Sequence, residues 1–223
     1  MPKLHIPDGF VNLPVSALFG LLSLVFLALA LRGAARTLDD RTTPLAGLTA
    51  VFIFAAQMIN FPVAAGTSGH LVGAALATVL VGPYSATLAL TVVLGVQALL
   101  FADGGLTALG LNIFNLSIVA VWASHFLLIL LRRVLPKSKL GITVSAAIAA
   151  YISVPLAALG FTIQYALGGT GTVPVNTVAT AMIGTHLLIG IGEALITFMT
   201  VSAVIASRSD LVYGWKPKLE IKS

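Results

Sequence analysis

Four histidines, His5, His70, His125 and His186, are the side chains best suited to holding a metal ion or moving a proton. Cysteine is absent, which excludes disulfides, thiolate ligands and cysteine nucleophiles. His70 has the most informative surroundings. Upstream, Gln57 and Asn60 are spaced to share a helix face, and Pro62 is expected to end that helix. Gly66-Thr67-Ser68-Gly69 then reads as a turn with freed backbone donors and short hydroxyls. His70 is expected to open the next apolar run. A polar, metal-capable ring between two apolar helices needs a partner or a purpose, because an unpaired polar group in lipid is costly. Motifs for other chemistry are missing. The sequence has no HExxH zinc pattern and no GxxxxGK[ST] phosphate loop, which argues against zinc hydrolysis and against ATP hydrolysis by this chain.

Membrane helices must position these residues. The 223 residues are 58% hydrophobic and 9% charged, unlike an ordinary soluble domain. Residues 42–102 and 140–192 contain no Asp, Glu, Lys or Arg over 61 and 53 residues respectively, whereas about 20 apolar residues suffice for one crossing. The expected fold is an all-α integral membrane protein of about seven transmembrane helices. Spans are expected at 14–31, 44–59, 68–81, 84–101, 106–131, 140–167 and 177–206. Pro44 would sit in a first helical turn and Pro155 would kink the sixth span. The third span is short, so it needs shelter by protein or a re-entrant path. Asp103-Gly104-Gly105 reads as a turn, and 168–176 as a flexible uncharged loop.

Charge orients the bundle. Eleven of the 12 Lys and Arg fall in 32–41, 132–139 and 207–223, and only Lys3 lies elsewhere. The positive-inside rule puts those segments in the cytoplasm, with the N-terminus outside and the C-terminus inside. The net charge of +5 is then a matter of membrane orientation rather than a nucleic-acid footprint. His5, His70, Asp103 and the 168–176 loop share the outer side. Two histidines meeting there point to capture of something from outside.

HIPDGF at 5–10, FAAQMINFPVAAGTSGHL at 54–71, QALLFADGGLTALGLNIFN at 97–115 and IGTHLLIGIGEALIT at 183–197 occur in that order. Together they resemble the CbiM/NikM family, the substrate-binding membrane components of energy-coupling-factor (ECF) transporters for cobalt and nickel. The resemblance implies a substrate-capture subunit of an ATP-driven importer of Co²⁺ or Ni²⁺ in the cell membrane, serving cobalamin synthesis or nickel uptake. It also implies partners: a separate ATPase, a transmembrane coupling subunit and a small accessory membrane subunit. It assigns the metal, as transported substrate, to His5, to the residue before it, Leu4, and to His70. A single membrane domain 1–223 would then comprise a metal-binding segment 1–13, a helical bundle 14–206 and a cytoplasmic tail 207–223.

The chemistry of the residues agrees. Imidazole suits Ni²⁺ and Co²⁺, whereas a carboxylate and water cage suits Mg²⁺ or Ca²⁺, and no acidic cluster is present to build one. A histidine beside a free terminal amine offers amine, backbone and ring nitrogens, and a second imidazole completes a square-planar nitrogen set. Such ligands must be deprotonated, so binding should weaken in acid. Asp8, Gln57, Asn60 and Ser68 are candidates to orient the rings. Asn112 and Asn115 share a face and could bond between helices or tie down the N-terminal segment. His125 reads as a packing residue and Asp103 as a turn residue. Glu193, the only acid deep in an apolar run, shares a helix face with His186. It is expected to pair with His186 or Thr197, or to contact a partner subunit. The competing class is an intramembrane metalloenzyme using the same histidines. It lacks a motif for a general base, and a full nitrogen set leaves no open coordination position.

The N-terminus departs from the family pattern, in which the histidine follows the first residue. Here MPKL precedes His5, and Lys3 would place a cation beside an arriving metal cation. The expectation is a functional chain that begins at residue 4, through processing or through initiation at that codon.

Overall fold

The computed structural model describes residues 5–37, 39–40, 42–62, 68–213 and 215, apart from the side chains of 60–62 and 68. The helices are α1 (Leu13–Ala34), α2 (Thr42–Gln57), α3 (Ala74–Leu100), α4 (Leu109–Asn112), α5 (Ala120–Val134), α6 (Lys139–Gly168) and α7 (Val175–Arg208). A π-helix over Ile113–Val119 joins α4 to α5, so that 109–134 is one continuous rod. Among the described residues, five rods are long and apolar enough to cross a membrane: α1, α3, 109–134, α6 and α7. The 16-residue α2 is shorter. The protein is a multi-pass membrane protein. Large apolar side chains such as Leu21, Leu24, Leu48, Phe126 and Leu188 point outward, where lipid replaces water as their surroundings.

Local chemistry sets the helix ends. Asn12 caps α1 by accepting the Val15 N–H at 3.1 Å, with Pro14 in the first turn. Asp39 and Thr42 cap α2 reciprocally: Asp39 Oδ1 accepts the Thr42 N–H at 2.7 Å, and Thr42 Oγ1 accepts the Asp39 N–H at 2.9 Å. Ser138 caps α6 through the Gly141 N–H at 3.0 Å.

The third and fourth spans are the two halves of α3, divided as expected at Gly82-Pro83, where Gly82 is non-helical (φ 79°, ψ 166°). Other expectations change. The first half of α3 starts later than expected. Residues 68–70 are not helical but form a strand, β2 (Ser68–His70), paired antiparallel with β1 (Asn60–Pro62), with Asn60 opposite His70. Helix begins only at Ala74, after Gly73 turns the chain with φ 76°. Because α2 stops at Gln57 and Asn60 lies in β1, these two do not share a helix face. The 168–176 loop, finally, is held at its start: Gly169 bridges Val11, Gly168 O accepts the Asn12 N–H at 2.7 Å, and Thr170 N donates to Phe10 O at 3.2 Å. α6 passes through Pro155 as one helix.

Two close approaches tighten the bundle around the site. α1 crosses α4 at Gly20 and Gly110, where a Cβ on Gly110 would overlap the Gly20 backbone, and Ser23 Oγ donates to Gly110 O at 2.8 Å. In the π-helix, Asn115 exchanges two hydrogen bonds with Gln164 of α6, at 2.8 and 3.0 Å, over the bare face of Gly160. At the break in α3, the Tyr213 N–H donates to Leu80 O at 3.2 Å, and the Tyr213 ring covers Gly82.

Candidate metal centre

The N-terminal segment carrying His5 runs as an extended strap across the ends of the helices. Asn112 grips it on both sides of one residue, accepting the Ile6 N–H on Oδ1 at 3.1 Å and donating from Nδ2 to Ile6 O at 3.3 Å. Gly105 N also donates to Ile6 O at 2.9 Å. Two residues on, Asp8 Oδ1 accepts the Thr107 N–H at 2.7 Å and the Thr107 hydroxyl at 2.6 Å. The turn 103–105 is cut to fit. Gly104 (φ 90°) has no room for a Cβ beside the His5 Cβ, and a Cβ on Gly105 would overlap the Asp8 backbone.

This strap delivers His5 to His70. Both residues are buried, at 7% and 6% exposure, and their rings meet edge to face with centroids 4.6 Å apart. His70 Nδ1 lies 2.8 Å from Leu71 O. Only a donor satisfies a carbonyl, so Nδ1 carries the proton and Nε2 keeps its lone pair. His5 Nδ1 lies 3.3 Å from Asp103 Oδ2. That pair is electrostatic rather than an aligned hydrogen bond, and the His5 Nε2 is buried without a hydrogen-bond partner among the described residues. Burial, and next the neighbouring His5, push the His70 imidazole from 6.5 down to about 3. It is therefore neutral, the form in which imidazole binds metals.

The loop after His70 is clamped from two helices. Gln57 Nε2 donates to Val72 O at 2.9 Å, and Gln97 Nε2 in turn donates to Gln57 Oε1 at 3.0 Å. Glu193 of α7 accepts the N–H groups of Val72 (2.8 Å) and Gly73 (2.5 Å). Its expected pairing with His186 or Thr197 is replaced by these backbone donors, which lie ahead of α3 and have no helical acceptor of their own. His186 bonds through Nδ1 to Met182 O in its own helix at 2.6 Å. His125 packs edge to face on Trp122 with centroids 5.7 Å apart.

Of the residues singled out in the sequence, then, His5, His70, Gln57 and Asn112 converge on one place, while Asp8 supports the strap from the side. Asn115 points away, into its amide pair with Gln164. Leu4 lies outside the described residues, as do the side chains of Asn60 and Ser68. Asp103, Gln97 and Glu193 have site roles that the sequence did not assign. Asp103 and Gln97 do fall within the 97–115 stretch. Among the described residues no group of three His, Cys, Asp or Glu forms a metal cage. Two imidazoles in a dry recess can share one borderline transition ion, with main-chain or amine nitrogens filling the other positions.

Comparison with known proteins fits this geometry. A protein of Haloquadratum walsbyi named for metal transport is 40% identical over 94% of both chains. One of Archaeoglobus fulgidus, named as a fused nickel transport protein, is 39% identical over 94% of this chain and 68% of its own. A crystal structure described as a transition metal transporter superposes with a TM-score of 0.84 at 31% identity, covering 91% of this chain and 93% of the other. The CbiM pattern, described as the cobalt uptake substrate-specific transmembrane region, matches residues 5–211. The chain belongs to the CbiM family.

Proposed function

We propose that this chain captures Co²⁺ or Ni²⁺ at the outer face of the membrane as the substrate-binding subunit of an ATP-driven, ECF-type importer. The observation that carries the reading is the meeting of His5 and His70, two buried imidazoles from distant parts of the chain, with centroids 4.6 Å apart. Family membership supports the cargo class, and the fused nickel transport relative supports nickel beside cobalt. In this reading the two histidines give ring nitrogens, the strap gives a backbone nitrogen, and residue 4 gives an amine when the chain is processed to begin there. Asp8, Asn112 and Gln57 hold the strap and the loop; Asn60 and Ser68 border the same hairpin. The 1–223 chain acts as one membrane domain with its N-terminus outside. ATP hydrolysis belongs to a separate subunit, joined through a transmembrane coupling subunit and a small accessory one.

The test is direct titration of the purified, metal-free chain with Ni²⁺ and, separately, with Co²⁺. His70→Ala should lose more affinity than the about 10–100-fold typical of an outer-shell change, because it deletes a ligand outright. His125→Ala should bind as the wild type does. Wild-type affinity in His70→Ala would overturn the site assignment.

A further inference from the structure

We infer, on the reading that His70 ligates the cargo, that Glu193 is a positioning residue which sets the His70 ring through a single peptide plane. The Leu71 carbonyl and the Val72 N–H belong to the same peptide unit, which is planar and stiff. His70 Nδ1 donates to one end of that unit at 2.8 Å, and Glu193 Oε2 accepts from the other end at 2.8 Å. Turning the imidazole breaks its bond to this plane, and tilting the plane breaks the bond to the carboxylate. The next peptide unit is held in the same way, with its Val72 carbonyl on Gln57 Nε2 and its Gly73 N–H on Glu193 Oε1. Gly73 makes the double grip possible, since its φ of 76° and its contact with Ile53 leave no place for a side chain.

The placement of Glu193 supports a function beyond packing. A buried carboxylate at 3% exposure in an apolar helix is expensive, and here it serves two loop N–H groups just after His70. What the carboxyl group supplies is a hydrogen-bond acceptor at the far end of the peptide that accepts from His70. That bond polarises the Leu71 carbonyl, strengthens the Nδ1–H bond and makes Nε2 a better donor to a metal, as outer-shell carboxyl groups do for metal-bound histidines.

The experiment compares Glu193→Gln, Glu193→Ala, His70→Ala and Val201→Ala in the full chain, titrated with Ni²⁺ alone. Three readouts are taken: affinity, the visible absorption of bound Ni²⁺, and thermal stability of the metal-free protein. Val201 is fully buried in the same helix and lies away from the loop, so its truncation reports a merely structural effect. Glu193→Ala should lose about 10–100-fold in affinity with a shifted Ni²⁺ band. Glu193→Gln, which keeps the shape and one acceptor, should lose less and shift the band the same way. Val201→Ala should lower stability and leave both the affinity and the band unchanged. Wild-type affinity and band in both Glu193 variants, with binding lost in His70→Ala, would overturn the inference alone. An affinity loss in Val201→Ala equal to that of Glu193→Gln would also overturn it. Wild-type binding in His70→Ala would overturn the proposed function itself.

Discussion

Asn112 holds Ile6 by both of its amide atoms, Oδ1 on the N–H at 3.1 Å and Nδ2 on the carbonyl at 3.3 Å. One side chain thus plays the part of a neighbouring strand for the residue that follows His5. Asn112→Ala removes two hydrogen bonds, each worth about 0.5–1.5 kcal/mol, and frees the strap where it carries its imidazole. Ni²⁺ affinity should fall by about 10–100-fold, while the metal-free protein still purifies as a folded monodisperse species. Unchanged affinity by calorimetry would separate Asn112 from the placement of His5.

Gly105 is predicted to tolerate no side chain. A Cβ there overlaps Asp8, whereas one on Gly47 meets nothing within 4 Å. Gly105→Ala should displace the strap, weaken Ni²⁺ binding and speed proteolytic cleavage within residues 5–12. Gly47→Ala should alter neither, since only the helix-favouring effect of alanine remains. Equal cleavage rates in the two variants would show that the strap does not depend on this turn.

Acid should loosen the metal-free protein through His70. Its imidazole titrates near about 3 in the fold, against 6.5 when exposed, so unfolding takes up a proton between those values. The stability it contributes is whole above pH 6.5 and is lost as pH falls toward 3. His5, His186 and Asp103 face it and share in the local charge. The thermal midpoint of the metal-free protein in detergent should drop across this window, and less steeply in His70→Gln. Parallel slopes for the two proteins would contradict a buried neutral ring.

Orientation is the fourth prediction. Eleven of the 12 Lys and Arg lie in three segments, and these segments should face the cytoplasm. A reporter active only in the cytoplasm should work when fused after residue 223. Activity instead from a reporter that needs the outside would reverse the topology.

The rods were legible because apolar runs of sufficient length have few alternatives in a membrane. The meeting of His5 with His70 followed from charge asymmetry and from the family resemblance together, since 64 residues separate the two in the sequence. Other features left no trace of that kind. The hairpin is three residues per strand, too short for an alternating pattern to stand out among glycines and alanines. The late start of α3 depends on the left-handed turn at Gly73, and apolar periodicity does not register a backbone angle. Glu193 was read along its own helix, which suggested His186 or Thr197. Its actual partners are main-chain N–H groups, and every residue but proline has one.

The break at Gly82 bears on the order in which this protein is made. The N–H that meets Leu80 O belongs to Tyr213, which leaves the ribosome after α7. The third helix is therefore inserted early but sealed late, by a segment from the opposite end of the polypeptide. Its first half leads directly out of the His70 loop. A nascent chain arrested just beyond α7 would carry every residue named at the site and still lack the donor to Leu80 O.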